Sequence, residues 1–147
     1  MPRITAKQVA LIVVTLGAAA QFVPVGRDNP PAPASNLAYS TAPANVQAVF
    51  TDSCINCHSN QTAWPWYSYL APFSWIVAHD VHSGRRKLNF SEWDTYSPRK
   101  QEEKLETICD QVVNGDMPDG KYLLIHRSAR LTQQDREAVC AWVESTR

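Results

Sequence analysis

At 147 residues the chain is short enough to be one domain, since domains typically run to roughly 100–150 residues. Hydrophobic residues make up 44% and charged residues 19%, with five Trp, five Tyr and four Phe, enough apolar surface for a packed core, which excludes wholesale disorder. Fourteen Lys plus Arg balance fourteen Asp plus Glu, so the chain lacks the excess basicity that neutralising a phosphate backbone requires, and nucleic acid is not an expected partner. Eleven of the basic and all fourteen of the acidic side chains lie in residues 28–147, which makes the globular part mildly acidic.

Residues 1–23 read as an export segment. Arg3 and Lys7 precede the uncharged run Val9 to Ala20, the positive and apolar regions of a signal peptide, and Ala18 and Ala20 form an A-x-A cleavage site. Extended to Val23 the run would span about 22 Å as a helix, short of a hydrocarbon core of roughly 30 Å. Ile4 to Ala6 would lengthen it with Lys7 snorkelling to the interface. A cleaved signal and a retained membrane anchor both remain open, and either places the rest of the chain outside the cytoplasm. Residues 24–42 carry Pro24, Pro30, Pro31 and Pro33, with Pro43 following, too many missing amide donors for helix or central strand, and are expected to form an extended tether.

From 43 to 147 the pattern is helical. Val46, Val49, Phe50 and Cys54 follow Pro43 at helical spacing. A second helix is expected from Pro72 to a stop at Gly84, and Asn89 to Tyr96 reads as loop or short turns. The clearest helix follows Ser97 and Pro98, with Leu105, Ile108, Cys109, Val112 and Val113 on one stripe and Asn114-Gly115 as its end. A last helix starts after Thr132, with Asp135 as capping partner, and buries Val139 and Trp142, with Val143 at the edge of the stripe. No alternating strand of useful length and no repeat is visible, so the fold class is all-α.

Cys54, Cys57 and His58 spell C-I-N-C-H, the attachment signature for a c-type haem. Two thiols three residues apart reach two vinyl groups of one porphyrin, and the adjacent imidazole falls beneath the iron as proximal ligand. A redox C-x-x-C would want a βαβ setting, which an all-α chain lacks. Zinc could be offered Cys54, Cys57, His79 and His82, but the Cys-to-His gap and the H-x-x-H spacing miss the usual ranges. Export favours haem, because thiols outside the cytoplasm otherwise oxidise.

For the sixth iron position the one methionine besides the initiator is Met117, in the stiffened loop N-G-D-M-P-D-G, with a core gap-filler as the bland alternative. His79, His82 and His126 compete; a polar surface or propionate contact suits the first two, and a structural hydrogen bond suits His126. Trp64, Trp66, Tyr67, Tyr69, Phe73 and Trp75 form an aromatic run whose rings could wall a porphyrin, and Trp64 and Trp66 are its candidate cofactor contacts. Cys109 and Cys140 are left over; in an oxidising compartment they are expected to pair, two inert buried thiols being the alternative.

Over roughly Tyr39 to Val143 the chain resembles the small bacterial haem-binding domain proteins related to monohaem cytochromes c. The motifs are C-I-N-C-H-S-N-Q-T-A-W-P-W-Y-S, A-P-F-S-W, G-R-R-K-L-N-F-S-E-W, and G-D-M-P-D-G-K-Y-L-L-I-H followed by A-R-L-T. The resemblance implies one covalently attached haem c, thioether links at Cys54 and Cys57, iron ligation by His58 and Met117, and carriage behind an N-terminal membrane segment. The expected protein is a cytochrome c-like electron carrier at the periplasmic side of the membrane, working with redox partner proteins and not as an enzyme. A haem-based sensor or binder of small ligands, whose sixth ligand leaves easily, is the alternative.

Overall fold

The computed structural model describes residues 4–31 and 39–146. Over them every regular element is helical, and no strand forms. Helix α1 (Ala6–Ala20) opens on a reciprocal cap, in which the Thr5 side chain accepts from the Gln8 amide and the Gln8 side chain accepts from the Thr5 amide. None of its residues is buried. Among the described residues no helix is long and apolar enough to cross a membrane.

Residues 24–31 run without helix or strand, as the prolines dictate, and the linker's 32–38 lie outside the described residues. The described part is not the free tether that its composition suggests. Gly26 O accepts from His82 Nε2 at 3.0 Å, Arg27 donates to Ser68 O at 3.1 Å, and Asn29 donates to Thr62 O at 2.9 Å. The polar residues between the prolines find partners far along the chain, and no local pattern announces them. At the linker's other end Tyr39 and Ala42 are buried in the core.

Helix α2 (Ala44–Ser53) follows Pro43, which takes the capping place, one position earlier than expected, and buries Val46, Val49 and Phe50. The attachment motif forms α3 (Ile55–His58), a single turn. A 3₁₀ turn at Trp66–Tyr69 leads into α4 (Phe73–Lys87), and a second at Phe90–Thr95 into α5 (Pro98–Asn114). Ser97 accepts from the Lys100 amide at the start of α5, and Gly115 ends it in the left-handed region at φ +77°, where a glycine carries no Cβ penalty. Leu105, Ile108 and Val112 are buried, whereas Val113 is exposed because one further residue turns it about 100° off the stripe.

The short α6 (Gly120–Ile125), capped by Asp119, had no apolar period to announce it. Helix α7 (Gln133–Ser145) begins on the expected Thr132–Asp135 capping box and buries Val139, Trp142 and Val143. Helices α5 and α7 pack together, and Cys109 and Cys140 form a disulfide between them. The core is aromatic. Phe50 lies 5.1 Å from Tyr39, 5.3 Å from Phe90 and 5.5 Å from Trp142 between ring centroids, separations at which edge-on and offset rings attract.

Candidate functional site

The site is built where α3 meets α4. Gly84, expected to end α4, lies inside it and is buried. A Cβ there would fall 2.5 Å from the Cys57 carbonyl oxygen, so the two helices come this close only because residue 84 has no side chain. Sequence reasoning took the glycine for a stop because its partner surface is invisible locally.

That approach sets the state of His58. Its Nδ1 lies 3.1 Å from Gly84 O and 3.2 Å from Leu88 O. A carbonyl only accepts, so Nδ1 carries the proton and Nε2 is left with a bare lone pair. Burial lowers the His58 pKa below the ordinary imidazole value, although the two carbonyl bonds act in the other direction. The ring is held neutral and in one tautomer, the condition of an imidazole metal ligand oriented by its second nitrogen.

A buried polar network fixes the strand of chain that carries the Leu88 carbonyl. Asn89 donates to Asn60 Oδ1 at 2.8 Å, Ser91 Oγ accepts from the Asn60 amide at 3.0 Å, and Asn89 Oδ1 accepts from the Ser91 amide at 3.1 Å. Arg85 adds a hub on the neighbouring face, donating to Ser59 O, Thr62 Oγ1 and Asn29 Oδ1, each at 2.8 Å, and to Asp28 O at 2.9 Å. The segments on either side of the site are thereby pinned. The sequence marks Arg85, Asn89 and Ser91 only within the resemblance motif G-R-R-K-L-N-F-S-E-W and Ser59, Asn60 and Thr62 only within C-I-N-C-H-S-N-Q-T-A-W-P-W-Y-S, and gives none of them this role.

His58 opens on a cavity of about 270 Å³ whose lining includes Cys54 and Met117. Phe50, Leu88, Phe90, Ile108, Val112 and Pro118 supply its apolar walls, and Lys87 and Lys104 are its cations. The Lys104 ammonium donates to the Lys87 carbonyl, and burial, followed by the nearby Lys100, lowers its pKa. Met117 reaches the cavity from the loop between the Gly115 cap and α6; its amide donates to Gln111 O at 3.1 Å, which ties the loop to the end of α5.

The structure therefore brings Cys54, His58 and Met117 to one cavity and leaves the other expected contacts off it. Cys57 stands against Gly84. Neither Trp64 nor Trp66, nor any other ring of the run from Trp64 to Trp75, lines the cavity; Trp66 is 74% exposed. The walls are instead the core rings Phe50 and Phe90, while Trp66, Tyr69, Phe73 and Trp75 are exposed. Trp64 has its indole N–H buried with no acceptor, alone in this among the described residues. His82 is taken up by Gly26 and His126 by the Tyr67 hydroxyl at 2.6 Å, with the Tyr122 ring stacked on it at 4.2 Å. The structural bond expected for His126 is thus present.

Burial pushes the Cys54 thiol up to about 12, with Cys57 adding to the rise, and pushes the Cys57 thiol up to about 11, with Asp80 and Asp119 adding and Arg85 opposing. A thiol–disulfide catalyst needs the reverse, a lowered thiol pKa. Among the described residues no group of three or more His, Cys, Asp and Glu side chains could hold a metal ion. What the site offers is one metal-ready imidazole, a thioether and an apolar chamber, the surroundings of a metal carried in a large apolar ring. The chain matches the model of the Haem-binding domain family over residues 15–145, and it belongs to that family; haem is the cofactor that the family implies. No curated protein and no solved structure matches it.

Proposed function

We propose that the domain carries one haem c, attached through Cys54 and Cys57 and ligated by His58 and Met117, and passes single electrons between protein partners at the periplasmic side of the membrane. The observation that carries this reading is the His58 ring, whose Nδ1 is engaged by the Gly84 and Leu88 carbonyls at 3.1 and 3.2 Å and whose Nε2 is thereby left for iron beside a cavity that Met117 also lines. Bound haem supplies a one-electron couple whose potential the axial ligands and burial set.

The chain's own residues do the rest. Cys54 caps α3 and Cys57 lies within it, three residues on. Phe50, Leu88, Phe90, Ile108 and Val112 exclude water from the cavity, while Lys87 and Lys104 offer cations to the carboxylates of a porphyrin. With His58 and Met117 both on the metal no position is open to a substrate, so the protein acts as a carrier and not as an enzyme. Helix α1, continued by the exposed Ile4, Phe22 and Val23, inserts into the bilayer as a retained anchor.

The test is spectroscopic. Protein matured in a host competent for cytochrome c assembly retains its haem through acid-acetone extraction and is six-coordinate and low-spin, with the long-wavelength charge-transfer band of a sulfur ligand. Met117→Ala loses that band and gains binding of carbon monoxide. Extractable haem overturns the covalent link, and a wild-type protein that is five-coordinate, or unchanged in the mutant, overturns the ligand set.

A further inference from the structure

The aromatic run beside the attachment motif has no place in the cavity, yet it is not core. Trp66, Tyr69, Leu70, Phe73, Trp75 and Ile76 are all exposed, Trp66 to 74%, Phe73 to 53% and Ile76 to 48%. Residues 53–79 contain no Asp, Glu, Lys or Arg. An exposed apolar patch of this kind marks a surface that meets something other than water.

Its position selects what covers it. The Ala71 amide donates to Gln21 Oε1 at 3.1 Å, and Ala20 to Val25 share a cleft with Tyr69, Ala71 and Ser74. The patch is thus continuous with the C-terminal end of α1, whose Leu11, Val13, Val14 and Leu16 are also exposed. A medium that receives α1 reaches residues 69–71 without a break. The chemistry of the seam is that of a bilayer interface, where Trp and Tyr put their rings among the acyl chains and their polar ends at headgroup level. Arg27 stands there as well, its guanidinium 4.5 Å over the Tyr69 ring and bonded to Ser68 O, a cation beside apolar surface that suits a lipid phosphate.

We infer that the face formed by Trp66, Tyr69, Leu70, Phe73 and Ile76 lies in the outer-leaflet interface of the membrane, a second lipid contact that fixes the haem domain against the bilayer. This rests on the reading of α1 as a membrane segment. The docking of residues 26–29 on Arg85, Ser68, Thr62 and His82 fits it, because a domain strapped close to its anchor holds one orientation, whereas a free tether would let it tumble.

The full-length holoprotein is reconstituted in vesicles of phosphatidylcholine and phosphatidylglycerol containing a diazirine phospholipid with the reactive group near the glycerol. After irradiation the lipid-modified peptides are mapped by mass spectrometry. Adducts are expected on residues 4–23 and on residues 64–76. The triple variant Trp66→Ser, Phe73→Ser, Ile76→Ser should lose the second set, keep the first and keep the haem spectrum. Wild-type adducts on residues 4–23 alone overturn the proposal, leave the anchor standing and turn the patch into a surface for a protein. Adducts on 64–76 alone remove the anchor and keep the lipid contact; adducts on neither remove both. The wild-type map decides even if the triple variant does not fold.

Discussion

The two ends of α4 behave differently although both are rich in features that mark a functional site. The C-terminal end, around Gly84 to Leu88, has little apolar surface beyond Leu88; it gives the cavity the Lys87 and Leu88 side chains and, above all, delivers two backbone carbonyls to His58. The N-terminal end, with Phe73, Trp75 and Ile76 beside Trp66 and Tyr69, has the rings and turns them outward. Apolar composition states that water is unfavourable there and leaves open whether protein, cofactor or lipid replaces it. The function of the first end is in its backbone, so it can be broken by adding a single methyl group; that of the second is in its surface, so it should tolerate truncation without loss of fold.

The largest effect is expected at the wall that core and cavity share. Phe50 is 1% exposed and touches three other rings, so Phe50→Ala should cost about 3–5 kcal/mol. Urea unfolding followed by circular dichroism measures it, and a loss below about 1 kcal/mol would mean that the aromatic cluster is not the core.

Next comes the brace between α5 and α7. The Cys109–Cys140 bridge closes a loop of 31 residues, for which loop-closure entropy gives about 3–4 kcal/mol of stabilisation. Cys109→Ala with Cys140→Ala should lower stability by nearly that amount. Because α5 leads into the Met117 loop and α7 is bonded to its end through Arg136, which donates to Val112 O at 2.7 Å, it should also raise the fraction of protein that binds carbon monoxide. Alkylation of the denatured, unreduced wild type followed by peptide mapping checks the premise, and modification of Cys109 and Cys140 would remove it.

Third is the methyl test at the backbone end. Inside a helix Gly→Ala ordinarily stabilises by about 0.5–1 kcal/mol. At residue 84 the new Cβ would meet the Cys57 carbonyl oxygen at 2.5 Å, so the sign should invert to a loss of about 1–3 kcal/mol. Haem loading should fall with it, since separating α4 from α3 withdraws the Gly84 carbonyl from His58. A stabilised, fully loaded Gly84→Ala protein would show that the close approach is not needed.

What was legible in the sequence follows the range of each signal. Ser97 and Gly115, or Thr132 and Asp135, announce their helix ends because capping is settled within a few residues. Cys54, Cys57, His58 and Met117 stand out in the sequence because few residue types can attach a porphyrin or ligate its iron, and the structure brings Cys54, His58 and Met117 to one cavity. Gly84 looked like a helix stop because its reason is a carbonyl on another helix, and the Leu88 carbonyl could not be read at all, since every residue has one. The linker's docking depends on Arg85, His82, Ser68 and Thr62, all distant in the chain. The aromatic run was readable as apolar and unreadable as to direction, for a ring facing a cofactor and a ring facing a membrane carry the same letter.

The smallest effect on stability is expected at that outward end, and its smallness is the point. Trp66 contacts its neighbour Tyr67 ring-to-ring at 5.9 Å and is otherwise largely open to solvent, and Ile76 is exposed on α4. Substitutions away from core, caps and networks usually fall within about 0.5 kcal/mol of zero. Trp66→Ala and Ile76→Ala, unlike Phe50→Ala, should therefore leave the urea midpoint nearly unchanged. In detergent-free buffer they should make the protein less prone to associate, because less apolar surface faces water. The comparison sharpens if both are measured on the same haem-loaded preparation by unfolding and by sedimentation. A loss of more than about 2 kcal/mol at Trp66 would place its ring in packing contacts that only core residues make, and the two ends of α4 would then differ in degree and not in kind.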